Sequence, residues 1–287
     1  MREQRMQVNK LTDSFAAEIV GAKVADDMSE TDVDTITDAF LEHQVIVIRD
    51  QNMSPVEQKK FSLHFGELAF HISKTNKDKE HPEMLVLSNK KVNGKWVGAT
   101  NAGDEWHTDS LYQPVPAKCT MLHALEVPEE GGETAFINTY AAYEALPEET
   151  KQRLDGVRGI NSWNRLRNPR VKVPEQHGDG KSVYDTGAPD VMHPIIRTHP
   201  ESGRKALFVS PRHTLFVEGL PEDESEDLLQ ELFAVQQREE HMYIHKWQLG
   251  DILIWDNRCT LHKGLGKIKE PGIRHLHRTL IEGTVPF

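Results

Sequence analysis

The sequence predicts a mainly β fold, a sandwich or barrel carrying a few appended α-helices, on three observations. Short apolar or alternating runs recur along the chain, turn dipeptides punctuate them, and strand and helix signals do not alternate regularly. The last point argues against a parallel sheet built from strand–helix–strand units. A length of 287 residues exceeds the usual single-domain size. Single β-barrels with added helices commonly reach it, so one domain spanning 1–287 is expected.

The elements follow in order. Ser29 followed by Asp32 marks a helix start, and Val33, Ile36 and Phe40 then recur at helical spacing. Val45-Ile46-Val47-Ile48 reads as a short, fully apolar strand. Ser54, Pro55 and Glu57 supply an N-cap, a first-turn proline and a capping-box acid to a second helix, which buries Phe61 and Phe65 and stops at Gly66. Late in the chain, residues 221–239 place Leu228, Leu229, Leu232 and Phe233 on one face, with acids elsewhere. All of these stripes are read as core packing.

Strand signals occupy 84–88, 119–127, 193–199, 206–210, 243–247, 252–255 and 274–281. Asn93-Gly94, Gly131-Gly132, Ser202-Gly203 and Gly250 separate them. Residues 161–191 are rich in Arg, Lys, Gly and Pro with little periodicity, which fits either an active-site lid or a passive surface loop. The chain shows no internal repeat and no low-complexity tract.

Composition narrows the function classes. A net charge of -11 repels phosphate backbones, so nucleic acid is not an expected partner, although a local basic pocket still attracts a small anion. No run approaches the roughly 18 apolar residues of a membrane span, and the N-terminus leads into no apolar signal core. A cytoplasmic enzyme is therefore expected. Cys119 and Cys259 are the only cysteines. Two thiols are too few for a disulfide scaffold and read as small buried hydrophobes. A homo-oligomer is compatible with the sequence but not specified by it.

The most informative motif is Trp106-His107-Thr108-Asp109, read together with His262. In an extended segment residues i and i+2 point to the same side, so His107 and Asp109 can reach one ion while Thr108 faces away. His262 follows the apolar run that ends at Trp255, and a strand there would return a third ligand to a barrel mouth. Two imidazoles and one carboxylate on one face of an octahedron leave the opposite face open, as in non-haem Fe(II) oxygenases. With 15 histidines and 45 acidic residues, a lone H-x-D also arises by chance. A hydrogen-bonded strand-end histidine is the plainer alternative for His262.

Four ordered stretches carry a family resemblance. They are Trp106-His107-Thr108-Asp109, Gly131-Gly132-Glu133-Thr134, Trp255-Asp256-Asn257-Arg258 leading to His262, and Arg274-His275-Leu276-His277-Arg278. In order and interval the chain resembles the taurine dioxygenase and 2,4-dichlorophenoxyacetate dioxygenase family of Fe(II)/2-oxoglutarate-dependent enzymes, from about Glu18 to near the C-terminus. The resemblance implies a double-stranded β-helix, the cupin-like jelly roll. It also implies Fe(II) on His107, Asp109 and His262, with 2-oxoglutarate as cosubstrate and O2 as oxidant. The presence of Asp109 favours hydroxylation over halogenation, because a related halogenating class lacks this carboxylate.

Holding 2-oxoglutarate requires a grip on its far carboxylate, which a planar guanidinium supplies with two parallel hydrogen bonds. Arg274 and Thr134 match the family's residues in that role. If 274–281 is a strand, Arg274, Leu276 and Arg278 share one side. Two arginines facing a barrel interior are costly unless each meets an anion. One anion is 2-oxoglutarate, and the resemblance assigns the other, the substrate's acidic group, to Arg278.

Further substrate contacts come from the resemblance alone. His71 stands where the taurine-oxidising branch has a sulfonate-binding histidine, whereas Lys74 and Lys95 correspond to lysines of the phenoxyacetate-oxidising branch. Gly103 replaces an asparagine that would receive taurine's amino group. The longer match over Ser202-Gly203-Arg204-Lys205 and Val217-Glu218-Gly219-Leu220-Pro221 favours the phenoxyacetate branch. The expected reaction is hydroxylation of a carbon next to a heteroatom or acidic group in a small organic anion, with an aryloxyalkanoate-type carboxylate foremost. The alternatives are an alkylsulfonate dioxygenase releasing sulfite, a cupin-like metal protein that does not use 2-oxoglutarate, and a binding module without turnover.

Overall fold

The computed structural model describes residues 6–24, 28–70, 76–100, 103–164, 167–168, 170, 188–266, 268–269 and 271–287. His71, Lys74 and most of the 161–191 segment lie outside the described residues. The first third contains β1 (Gln7–Lys10), β2 (Ala17–Val20), α1 (Glu30–His43), β3 (Val45–Ile48), α2 (Pro55–Ser62), β4 (Leu68–Ala69), β5 (Leu85–Ser88), β6 (Lys91–Val92) and β7 (Lys95–Trp96). Next come β8 (Cys119–Glu126), β9 (Thr134–Asn138), α3 (Thr139–Glu144), α4 (Glu148–Leu154), β10 (Arg158–Asn161), β11 (Val191–Pro194) and β12 (Ile196–Thr198). The remainder holds β13 (Lys205–Leu207), β14 (Thr214–Val217), α5 (Glu222–Gln236), β15 (Met242–His245), β16 (Ile252–Asp256), β17 (Thr260–Gly264) and β18 (His275–Ile281).

Two sheets make the jelly roll. The larger is eight-stranded in the order β1-β2-β3-β16-β8-β18-β4, with β5 also paired to β18. The smaller runs β15-β9-β17. Burial of both faces explains why β3 is apolar at every position and β16 is apolar over residues 252–255. Val45, Val47, Leu253, Trp255, Leu122 and Leu276 point inward and meet Phe136 of the smaller sheet. Their neighbours Ile46, Ile48, Ile252, Ile254 and Met121 point outward against Ile36, Phe40, Phe61 and Phe65 of the helical layer. Each such side chain contributes roughly 1.5–3 kcal/mol when fully buried, so both faces hold the sheet in register.

The helix starts follow their caps. Ser29 accepts a hydrogen bond from the Asp32 backbone at the head of α1, and Ser54 and Glu57 close a reciprocal capping box on α2. The second helix is shorter than the sequence suggests: its α-helical part ends at Ser62, and a 3₁₀ turn over Leu63–Phe65 leads to Gly66. The run expected over 193–199 divides into β11 and β12, which belong to different sheets. Pro194 has no N–H to continue a ladder, and the strand breaks just after it. Among the described residues no helix is long and apolar enough to cross a membrane. Cys119 and Cys259 are free and buried, as expected of small hydrophobes.

Candidate active site

The sheets converge at one backbone rung. His107 and His262 form an isolated antiparallel bridge in which the His107 N–H donates to the His262 carbonyl at 3.1 Å and the His262 N–H donates back at 2.7 Å. Directly opposed residues of an antiparallel pair project to the same side. The two imidazoles accordingly lie with ring centroids 4.1 Å apart. His107 Nδ1 is 2.7 Å from the Glu105 carbonyl, an arrangement that fixes the ring and turns Nε2 inward.

Asp109 completes the group. Its Oδ1 is 3.9 Å from His107 Nε2 and its Oδ2 is 3.8 Å from His262 Nε2. These separations exceed hydrogen-bonding range, yet one ligand atom from each of the three residues falls within 4.8 Å of the others. All three side chains are buried. Burial holds His107 well below the usual imidazole range, helped by His262 and Arg212, and pushes His262 down to about 4. Both rings are thus neutral at neutral pH and present lone pairs. Burial alone would raise the Asp109 carboxyl, but Arg278, His262 and His107 outweigh it and keep the group ionised. Neutral nitrogen donors around a carboxylate suit a divalent cation.

A pocket beside the triad is lined by Thr134, Trp255, Arg274 and Arg278 as well as both imidazoles. Thr134 lies on β9 opposite Gly264, two residues along from the Phe136–His262 pair, and so shares the face of His262. Trp247 Nε1 donates to Thr134 Oγ1 at 3.1 Å, and Arg274 Nη2 donates to the same oxygen at 3.4 Å. Both partners are donors only, so the hydroxyl proton remains free to point at an anion. Burial lowers Arg274 to about 10, which leaves it charged at neutral pH, and its Nε has no hydrogen-bond partner among the described residues.

Arg278 sits on the inner face of β18, opposite Leu122 of β8. Its Nη1 lies 3.6 Å from Asp109 Oδ1, while Nε and Nη2 are buried and unpartnered among the described residues. Two glycines make room for this machinery. Gly132, at φ +78°, would place a Cβ 3.1 Å from Arg274 Cδ, and Gly103, at φ +82°, would place one 3.1 Å from His107 Cε1. A side chain at Gly103 would press on a ring of the triad.

Not every sequence candidate joins this cluster. The structure brings together His107, Asp109, His262, Thr134, Arg274 and Arg278. Lys95 lies on the exposed β6–β7 hairpin and does not line the pocket. Trp247, which braces Thr134, is missed because it ends a strand-like run with no motif around it. A second trio close enough for a metal is His199, Asp256 and Cys259. Asp256 is already engaged by Arg258 at 2.8 and 2.6 Å and by His199 at 3.0 Å, and burial keeps the Cys259 thiol protonated. That trio braces the turn between β16 and β17.

Comparison with known proteins fits this geometry. Residues 7–280 match the model of the Taurine catabolism dioxygenase TauD, TfdA family. The chain belongs to this family. It is an Fe(II)- and 2-oxoglutarate-dependent dioxygenase that uses O2. It is 35% identical over 266 residues to the alpha-ketoglutarate-dependent 2,4-dichlorophenoxyacetate dioxygenase of Cupriavidus pinatubonensis, covering 89% of this chain and 91% of the relative. An alkylsulfatase of Acinetobacter baylyi is 33% identical, with 90% and 80% covered. Among solved structures, AAD-2 in complex with Mn(II) and N-oxalylglycine superposes with a TM-score of 0.80 at 26% identity, covering 98% of this chain and 99% of that one.

Proposed function

We propose that this dioxygenase hydroxylates a carbon next to a heteroatom or acidic group in a small organic anion, with an aryloxyalkanoate-type carboxylate as the leading substrate class. The observation that carries this reading is the buried Arg278 guanidinium beside Asp109, with two N–H-bearing nitrogens unused. Buried donors left without an acceptor are costly, and the substrate's acid group would supply the acceptors that Arg278 Nε and Nη2 lack among the described residues.

His107, Asp109 and His262 would hold the iron, and Thr134 with Arg274 would grip the far carboxylate of 2-oxoglutarate. Iron bound there supplies the redox chemistry that couples decarboxylation of 2-oxoglutarate to succinate and carbon dioxide with insertion of one oxygen atom into a substrate C–H bond. The chain's own contribution is placement. Arg274 and Arg278 share one face of the β18 segment, and two separate anions are thereby set on one side of the triad. Hydroxylation next to an aryl ether oxygen gives a hemiacetal, which breaks down to a phenol and a 2-oxo acid. The 2,4-dichlorophenoxyacetate substrate of the Cupriavidus relative and the extent of its match support this class.

A second reading is an alkyl sulfate or alkylsulfonate, because Arg278 grips a sulfo group by the same fork and the Acinetobacter relative is an alkylsulfatase. His71 would then join the anion site, whereas Lys74 belongs to the first reading; Lys95, on the exposed β6–β7 hairpin outside the pocket lining, supports neither. Gly103 disfavours taurine itself, since no side chain there receives an amine.

The test is a panel of aryloxyacetates, alkyl sulfates and alkylsulfonates, following succinate together with phenol, sulfate and sulfite. Aryloxyacetates are expected to stimulate succinate formation with equimolar phenol. Release of sulfate or sulfite at higher kcat/KM would favour the second reading, and no stimulation by any member would overturn both. Arg278→Ala is expected to raise the substrate KM roughly 30-fold and leave the 2-oxoglutarate KM within about two-fold, since a charge-assisted contact is worth about 2 kcal/mol. An effect confined to 2-oxoglutarate would reverse the division of labour between the two arginines.

A further inference from the structure

Behind Asp109 runs a chain of hydrogen bonds whose direction the chemistry fixes. Trp255 Nε1 and the Asp109 backbone N–H both point at Asn257 Oδ1, at 3.0 and 3.3 Å. Both are donors only, so this atom is the amide oxygen and the other amide atom is Nδ2. Asn257 Nδ2 donates to Thr120 Oγ1 at 2.9 Å. A hydroxyl has one proton, and Thr120 directs it to Asp109 Oδ2 at 2.6 Å. The neighbouring Thr108 hydroxyl donates to the Asn257 carbonyl at 2.6 Å and ties the ligand segment to the same loop. Thr120, Asn257, Trp255 and Asp109 are all buried, which shields the whole chain from water.

We propose that Thr120 is a positioning residue for the metal centre. Resting on the reading of His107, Asp109 and His262 as ligands, it assigns Asp109 Oδ1 to the ion and reserves Oδ2 for the Thr120 hydroxyl. A carboxylate held by one oxygen occupies one coordination position, while a carboxylate free to rotate can close on the ion with both. Thr120 thereby keeps a position open, and Asn257 and Trp255 set the polarity that makes its hydroxyl a donor.

The test is Mn(II) titration of the apoprotein followed by electron paramagnetic resonance, with the visible spectrum of the Co(II) form as a second readout and circular dichroism as the fold control. Thr120→Val keeps the shape and removes the hydroxyl. It is expected to weaken Mn(II) binding by about 10-fold or more, the scale of losing an outer hydrogen-bond partner of a ligand, and to alter the Co(II) bands. Should the valine variant fail to fold, Thr120→Ser and Thr120→Ala form a pair that differs by the hydroxyl alone. Serine is expected within about three-fold of the parent and alanine to bind as weakly as valine. Mn(II) affinity and Co(II) bands unchanged in the valine or alanine variant would overturn the proposal, as would serine and alanine weakened equally. Failure of the parent protein to bind Mn(II) at all would instead sink the ligand assignment on which the proposal rests.

Discussion

Replacing His107 or His262 by alanine is expected to lower iron-dependent succinate formation by more than about 100-fold at any attainable Fe(II) concentration. Loss of a mere outer hydrogen-bond partner typically costs 10–100-fold in metal affinity or activity. Loss of one of three ligands is expected to exceed that, because His107, Asp109 and His262 are the donors that converge there among the described residues, while Asp256 of the second trio is held by Arg258. Two variants make the test strict, since each histidine belongs to a different chain segment and alanine preserves the backbone rung between them. Succinate release and oxygen uptake measured across an Fe(II) titration decide it. Retention of a tenth of the parent rate by either variant, with the fold intact, would mean that the ion sits elsewhere.

Arg274→Ala is expected to raise the 2-oxoglutarate KM by roughly 30-fold or more, equivalent to about 2 kcal/mol for a charge-assisted fork. Arg274 is buried beside Thr134 and Trp247, with no carboxylate of the protein within ion-pair range among the described residues. Its counter-charge must therefore come from a ligand. Arg274→Lys is expected to recover little, since a single ammonium cannot reproduce two parallel donors. Initial rates against 2-oxoglutarate at saturating substrate give the answer. An unchanged KM would remove Arg274 from the cosubstrate site, and an equal rise in both KM values would point to a collapsed pocket.

Much of this was legible in the sequence, and the rest was hidden for physical reasons. The H-x-D spacing and the period-2 relation of Arg274 to Arg278 are local signals, and the fold brings the first pair to one point and both arginines to one pocket. The apolar runs of β3 and of residues 252–255 in β16 were equally clear because both faces of each are buried. The strand bearing His262 was not, for Thr260-Leu261-His262-Lys263-Gly264 has no distinctive pattern and is extended only because β9 pairs with it. β9 itself is short and fully buried, with no alternation to mark it. Thr120 lies 11 positions from Asp109 on another element, and only sheet closure brings them together. Lys95 had only a positional match behind it, and the hairpin that carries it is exposed and outside the pocket lining.

The rung between His107 and His262 ties two events together. Because the donors that would capture iron are also reciprocal partners in the backbone ladder, an unfurled chain disperses them and has no affinity to offer. Capture of the ion therefore belongs to the closed state alone, and mass action makes it a clasp on the mouth of the roll. Iron supply and resistance to unfolding should rise and fall together in this protein.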